Sequence, residues 1–206
     1  MNESALAEIV AARICHDLVS PVGAIGNAAD LIDELSHADI GEELSLIRDS
    51  SARAASMLRL HRLAFGTAGD GGGMARDALQ RTVGAVLEDA RVTMRWTGLE
   101  GPPLRLAAAR GVALMALAGR CLLGMRGRIS VTMALDTAWP VGVAAEGEGA
   151  ALDADAEAWL AGLPMQRLPE PRRVELALLA PVLRGAGARL AVRSAPGLVL
   201  VTALPN

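Results

Sequence analysis

"AARICHDLVSP", residues 11–21, places a histidine, an acid, a hydroxyl and a proline inside an alanine-rich segment whose apolar residues keep a helical period. From Ser4 to about Leu35 the residues Ala7, Ala11, Ile14, Leu18, Val22, Ile25, Ala29 and Ile32 fall on one side of a wheel drawn at 100° per residue. On that wheel His16 lies roughly 170° from the centre of the stripe, so its imidazole is expected in solvent. Arg13, Ser20, Gly23, Asn27 and Asp30 share this outer face, which is polar and small around the ring, so a second protein could approach it closely. Pro21 removes one backbone hydrogen bond and predicts a bend just after His16, at about 3 kcal/mol if nothing compensates. Asp17 adjoins the ring and can orient it through Nδ1, which leaves Nε2 as a nucleophile.

After "LSHADIG" (35–41) a second apolar repeat runs through Ile40, Leu44, Ile47, Ser51, Ala54, Leu58, His61 and Phe65 at alternating spacings of 4 and 3. Two helices joined by a short loop cannot cover both stripes, because an isolated hairpin leaves the outer half of its seam in water. Two copies forming a four-helix bundle would close the core, so a homodimer is expected. "GTAGDGGG" (66–73) cannot hold a helix and reads as a linker. The expected division is a helical hairpin at 1–66, a glycine-rich linker at 67–73 and a second domain at 74–206.

Beyond the linker the texture changes. Residues 74–90 read as a helix, 91–96 as a strand, 106–125 as an apolar helix, and 129–135 and 141–145 as strands. Short helices follow near 153–160 and 171–184, then two closing strands, 188–194 and 197–204. The expected class is α+β: the dimeric hairpin, then a sandwich with helices on one face of a largely antiparallel sheet. The chain is 52% hydrophobic and only 2% aromatic, so packing must rest on Ala, Leu, Val and Ile. Trp96, Trp139 and Trp159 are expected as packing anchors of the second domain.

Net charge is −3 and the arginines are scattered, which gives a nucleic-acid surface little support. Cys15 and Cys121 lack C-x-x-C spacing and read as reduced thiols, with no metal site. "MNESALAEIV" has no basic n-region, and the longest apolar run, Gly111–Gly119, is about half of the ~20 residues a membrane span needs. A cytoplasmic protein without membrane partners is expected.

The string H-D-L-V-S-P-V at 16–22 resembles the H-box of histidine kinase dimerisation and phosphotransfer domains, in which an acid, a Ser/Thr/Asn and a proline follow the phosphoacceptor histidine. With "ARICHDLVSPVGAIGNAADLI" (12–32) it is most similar to the alphaproteobacterial histidine phosphotransferases of the ChpT type. "GAGARLAVRSAPGLVLVTALP" (185–205) is similar to the closing strands of the kinase ATP-binding fold. The resemblance implies that His16 takes a phosphoryl group from the aspartate of one receiver domain and passes it to another, with Asp17 assisting. Arg13, Ser20, Gly23 and Asn27 would then form the docking face. Partners would be receiver domains of a hybrid kinase and of response regulators, with Mg²⁺ supplied by the receiver and no cofactor held by this chain.

Kinases of this fold need an asparagine for Mg²⁺, an aspartate for adenine and a glycine-rich lid. Asparagine occurs here only at Asn2, Asn27 and Asn206, so the 106–125 helix has none. In "AEGEG" (145–149) Ala145 stands where the aspartate belongs, and Gly147 and Gly149 read as a vestigial loop. Losing these features together removes most of the nucleotide chemistry, so phosphotransfer without ATP-dependent kinase activity is expected. The alternatives are a divergent kinase or a non-catalytic dimeric adaptor for receivers. His61 is expected to pack on the seam, His37 to serve the turn, and Arg48, Arg53, Arg59 and Arg62 to form a solvated face.

Overall fold

A computed structural model describes residues 3–34, 40–66 and 72–206. His37 and residues 67–71 of the linker lie outside the described residues. The hairpin consists of α1 (Glu3–Glu34) and α2 (Gly41–Phe65). Pro21 does not end α1, which continues to Glu34, and the proline ring is buried.

The second part begins with β1 (Gly73–Met74), α3 (Arg76–Leu87), β2 (Val92–Thr97), β3 (Leu104–Arg105) and α4 (Leu106–Leu123). It continues with β4 (Gly127–Met133), β5 (Val141–Glu146), α5 (Ala154–Leu160) and a 3-10 turn, Pro171–Arg173. The chain closes with α6 (Val174–Gly185), β6 (Ala188–Ala195) and β7 (Leu198–Pro205). The class expected from the sequence, a helical hairpin followed by an α/β sandwich, is the one the chain forms.

Five strands make the main sheet in the order β2-β4-β5-β7-β6; β2 and β4 are parallel and the other pairs antiparallel. The parallel pair is possible because α4 carries the chain back across the sheet between β2 and β4. Alternation puts Ile129, Val131 and Met133 of β4, Val141, Val143 and Ala145 of β5, and Val199, Val201 and Ala203 of β7 on one buried face. Helix α4 lies on that face, and its glycines set the spacing. A Cβ at Gly119 would come within 2.9 Å of Val143 Cγ1, and one at Gly111 within 2.7 Å of Leu183 Cδ2. Residue 73, read as linker, is in β1, which pairs with β3.

Arg76 ties the loops of this domain together. It is 2% exposed and donates to the carbonyls of Gly98, Pro102, Ala134, Leu135 and Thr137. Trp139 and Trp159 are buried as anchors: Trp139 Nε1 donates to Ala186 O, and Arg173 lies over the Trp159 ring. Trp96 is only partly buried and packs against the edge of the core.

The hairpin packs against this domain chiefly through the C-terminal half of α2, and that docking buries a flank of α2 beside the seam expected for it, which a single hairpin leaves partly in water. Ser50, Met57, Leu60, His61 and Ala64 are buried, whereas Leu44, Ser51 and Leu58 of the expected seam are exposed. A wheel drawn for α2 alone cannot register α3 and α4, which cover one flank. Arg110 Nε donates to Ala64 O, 3.0 Å away, across this contact.

Helices α1 and α4 are both long and apolar enough to cross a membrane, by length and composition only. The sequence run between Arg110 and Arg120 undercounts α4 because both arginines lie inside it. Most of α4 is buried within the protein, which identifies it as a core helix, whereas little of α1 is.

Candidate functional site

His16 stands on α1 with its side chain 48% exposed, as the wheel requires. Its Nδ1 is 3.2 Å from Asp17 Oδ1, and its Nε2 is 3.2 Å from Nε and 2.7 Å from Nη2 of Arg172 in the 3-10 turn. A guanidinium only donates, so Nε2 is the acceptor, and the ring proton belongs on Nδ1, where Asp17 receives it.

Asp17 serves more than one neighbour. Arg13 Nη1 reaches Oδ1 at 3.0 Å from one turn earlier on α1, and His61 Nε2 reaches Oδ2 at 3.1 Å from α2. Burial by itself would raise the Asp17 carboxyl. The hydrogen bond from His61, the charge of Arg13 and the hydrogen bond from His16 outweigh burial and hold it below its ordinary value. Asp17 is therefore an anchored carboxylate, 14% exposed, rather than a solvated charge.

Behind Asp17 the network enters the second domain. Arg13 Nη2 is 3.6 Å from Glu175 Oε1 on α6. Glu175 is 1% exposed, and burial pushes its carboxyl up to about 7 against the opposing charge of Arg13. Arg13 Nε, Glu175 Oε2 and His61 Nδ1 are buried without a hydrogen-bond partner among the described residues, at a cleft of about 450 Å³ between the hairpin and the α/β domain. Cys121 also lines the cleft, and burial followed by the charge of Glu175 pushes its thiol up to about 11. Both cysteines are free.

The structure brings together His16, Asp17 and Arg13 of the residues singled out in the sequence, but turns Arg13 inward. Expected on an outer docking face, Arg13 is instead 16% exposed and is held between Asp17 and Glu175. Ser20, Gly23 and Asn27 are exposed farther along α1, Asn27 about 16 Å beyond His16 along the axis. A Cβ at Gly23 would meet nothing within 4 Å, so the chain's own packing does not call for glycine there. Arg48, Arg53, Arg59 and Arg62 are exposed on α2.

Sequence reasoning missed Arg172 and Glu175, which lie far along the chain and carry no local signal. It placed His61 correctly in the packing but not beside Asp17. Backbone closes on Gly147, where a Cβ would meet Arg126 O at 2.4 Å, whereas one at Gly149 would make ordinary contact, 3.4 Å from Leu123 O. Among the described residues, no group of three or more His, Cys, Asp or Glu is placed to hold a metal ion.

A hairpin bearing an exposed, carboxylate-oriented histidine, joined to a helix-covered mixed sheet, defines a two-part protein whose second part touches the histidine. Residues 76–196, more than half of the chain, match the family described as the histidine phosphotransferase C-terminal domain, and the chain belongs to that family. It is 43% identical over 67 residues to the protein phosphotransferase ChpT of Brucella abortus (strain 2308), a match covering 32% of this chain and 31% of that relative's length. A solved bacterial phosphotransferase superposes with a TM-score of 0.78 at 20% identity, covering 98% of this chain and 97% of that one, which shows a shared fold. The histidine kinase AdeS of Acinetobacter baumannii superposes with a TM-score of 0.47 at 12% identity, covering 91% of this chain and 95% of that one.

Proposed function

We propose that the protein is a phosphorelay histidine phosphotransferase, in which His16 carries a phosphoryl group between aspartates of receiver domains. The observation that carries this reading is the ring itself: an exposed imidazole whose Nδ1 is fixed by Asp17, so that Nε2 holds the lone pair. In the transfer, Nε2 forms the P–N bond as the P–O bond to the aspartyl carboxyl breaks. The carboxylate leaves with the electron pair, and the Nδ1 proton stays on the ring, held by Asp17. Positioning is the main contribution of this chain, and Mg²⁺ belongs to the receiver.

Ser20, Gly23 and Asn27 are the docking residues of this reading, and the open space around Gly23 supports a close approach by the partner. Arg13 takes a positioning role through Asp17. The lack of an asparagine in α4 and Ala145 in place of the adenine-reading aspartate support a second domain that does not work as an ATP-dependent kinase. Homodimerisation through the hairpin is supported by Val19, Val22, Leu44 and Leu58, large apolar side chains left exposed on it. The charges spaced along α1, among them Glu8, Arg13, Asp17, Asp30 and Asp33, support a helix–helix seam rather than a lipid-facing helix, in a cytoplasmic protein.

Incubation with a phosphorylated receiver domain is expected to label the wild type and to leave His16→Ala unlabelled. Label on the alanine variant would remove His16 from the reaction.

A further inference from the structure

The 3-10 turn that carries Arg172 is secured on both flanks. On one side Arg173 Nη2 contacts both oxygens of Asp153, at 2.9 and 2.7 Å, and its guanidinium lies over the Trp159 ring, 5.2 Å from the centroid. On the other, Glu175 is buried against Arg13 of α1. Arg172 is therefore aimed by its neighbours, and among the described residues its hydrogen-bond partner is the His16 ring alone.

The electrostatics around the ring single out the same residue. Arg13 is committed to Asp17 and Glu175, and Arg173 to Asp153. Among the described residues, Arg172 is the guanidinium beside His16 that no carboxylate claims, and its two contacting nitrogens converge on the atom that must bond to phosphorus. A phosphoryl group on Nε2 would bring two negative charges to this point, and a guanidinium fork matches its oxygens in geometry and sign.

We propose that Arg172 is a catalytic residue supplied by the second domain: it holds the Nε2 lone pair in the resting protein and takes up the phosphoryl oxygens once His16 is phosphorylated. The proposal rests on the reading of His16 as phosphoacceptor. Arg172 exchanges one acceptor, the ring nitrogen, for anionic oxygens. The α/β domain then completes the chemical site as well as adding surface.

The test uses the full chain and phosphoramidate, a small donor that needs no docking surface. The P–N bond of phosphoramidate breaks as the P–Nε2 bond forms, and ammonia leaves with the electron pair. At a fixed ratio of phosphoramidate to ammonia, ³¹P NMR reads the equilibrium fraction of phosphohistidine.

Arg172→Ala is expected to lower that equilibrium constant about tenfold, the effect of losing one charge-assisted contact, and Arg172→Lys to recover part of it. A residue that only docks a partner, or only gates access, changes rates and leaves this equilibrium where it was. An unchanged constant in Arg172→Ala, with an unchanged melting temperature, therefore overturns the proposal. In ¹⁵N spectra of the unphosphorylated wild type the His16 proton is expected on Nδ1, because Nε2 accepts from Arg172; a proton on Nε2 there counts against the contact. His16→Ala separates the two claims: a phosphohistidine signal undiminished from the wild type there removes the phosphoacceptor reading itself.

Discussion

Glu175 is a carboxyl that the fold holds away from water, with Arg13 as the cation facing it. Its folded value of about 7 lies above the ordinary 4.5, so the native state keeps a proton that the unfolded chain has already released. Stability from this residue is therefore complete below about pH 4.5, falls as pH rises toward 7, and stays at its lower level above that. Glu175→Gln is expected to raise stability by about 2 kcal/mol at pH 8.5 and to change little at pH 5, where the native side chain is already neutral. Denaturant melts at the two pH values check this, and equal effects at both would refute it. Asp17 runs the other way. Held below 3.8, it contributes stability above that pH and loses it as pH falls through its folded value.

Elements differ in how openly the sequence declares them. The outward setting of His16 was legible because a wheel needs only α1 itself, and the strand-like runs at 129–135, 141–145 and 197–204 located β4, β5 and β7 to within two residues for the same reason. The buried face of α2 was not, since α3 and α4 choose it, nor was the two-residue pairing of β1 with β3, which is too short to leave a pattern. At the site, His16 and Asp17 announce themselves in the sequence by adjacency. Arg172 arrives from 156 residues away and is set by tertiary contacts alone. Helix α4 offers a sharp test of how closely the elements are fitted. Gly111→Ala would drive a methyl to 2.7 Å from Leu183 Cδ2 and 3.1 Å from the Trp139 ring. It should cost about 1–3 kcal/mol despite the better helix propensity of alanine, measured by chemical denaturation.

Across the whole molecule, apolar surface is distributed unevenly. The α/β domain seals its helix-covered face, with α4 as its central buried element, while the hairpin leaves Val22 and Leu58, each at least half exposed, to solvent. Both belong to the stripes read from the sequence, and a second hairpin is the occupant that would shelter them. The double variant Val22→Glu, Leu58→Glu is expected to halve the mass found by light scattering at micromolar concentration, with the circular dichroism of the α/β domain intact. A wild type already at the mass of one chain would dismiss the dimer.

The bond from Arg110 to the carbonyl of Ala64 engages a backbone group that the last turn of α2 cannot satisfy within the helix, and it does so from the core helix of the other domain. One side chain thereby both finishes a helix and ties the two halves together. A visitor to the imidazole would meet a jig already clamped, so little of its binding energy would be diverted to arranging the halves.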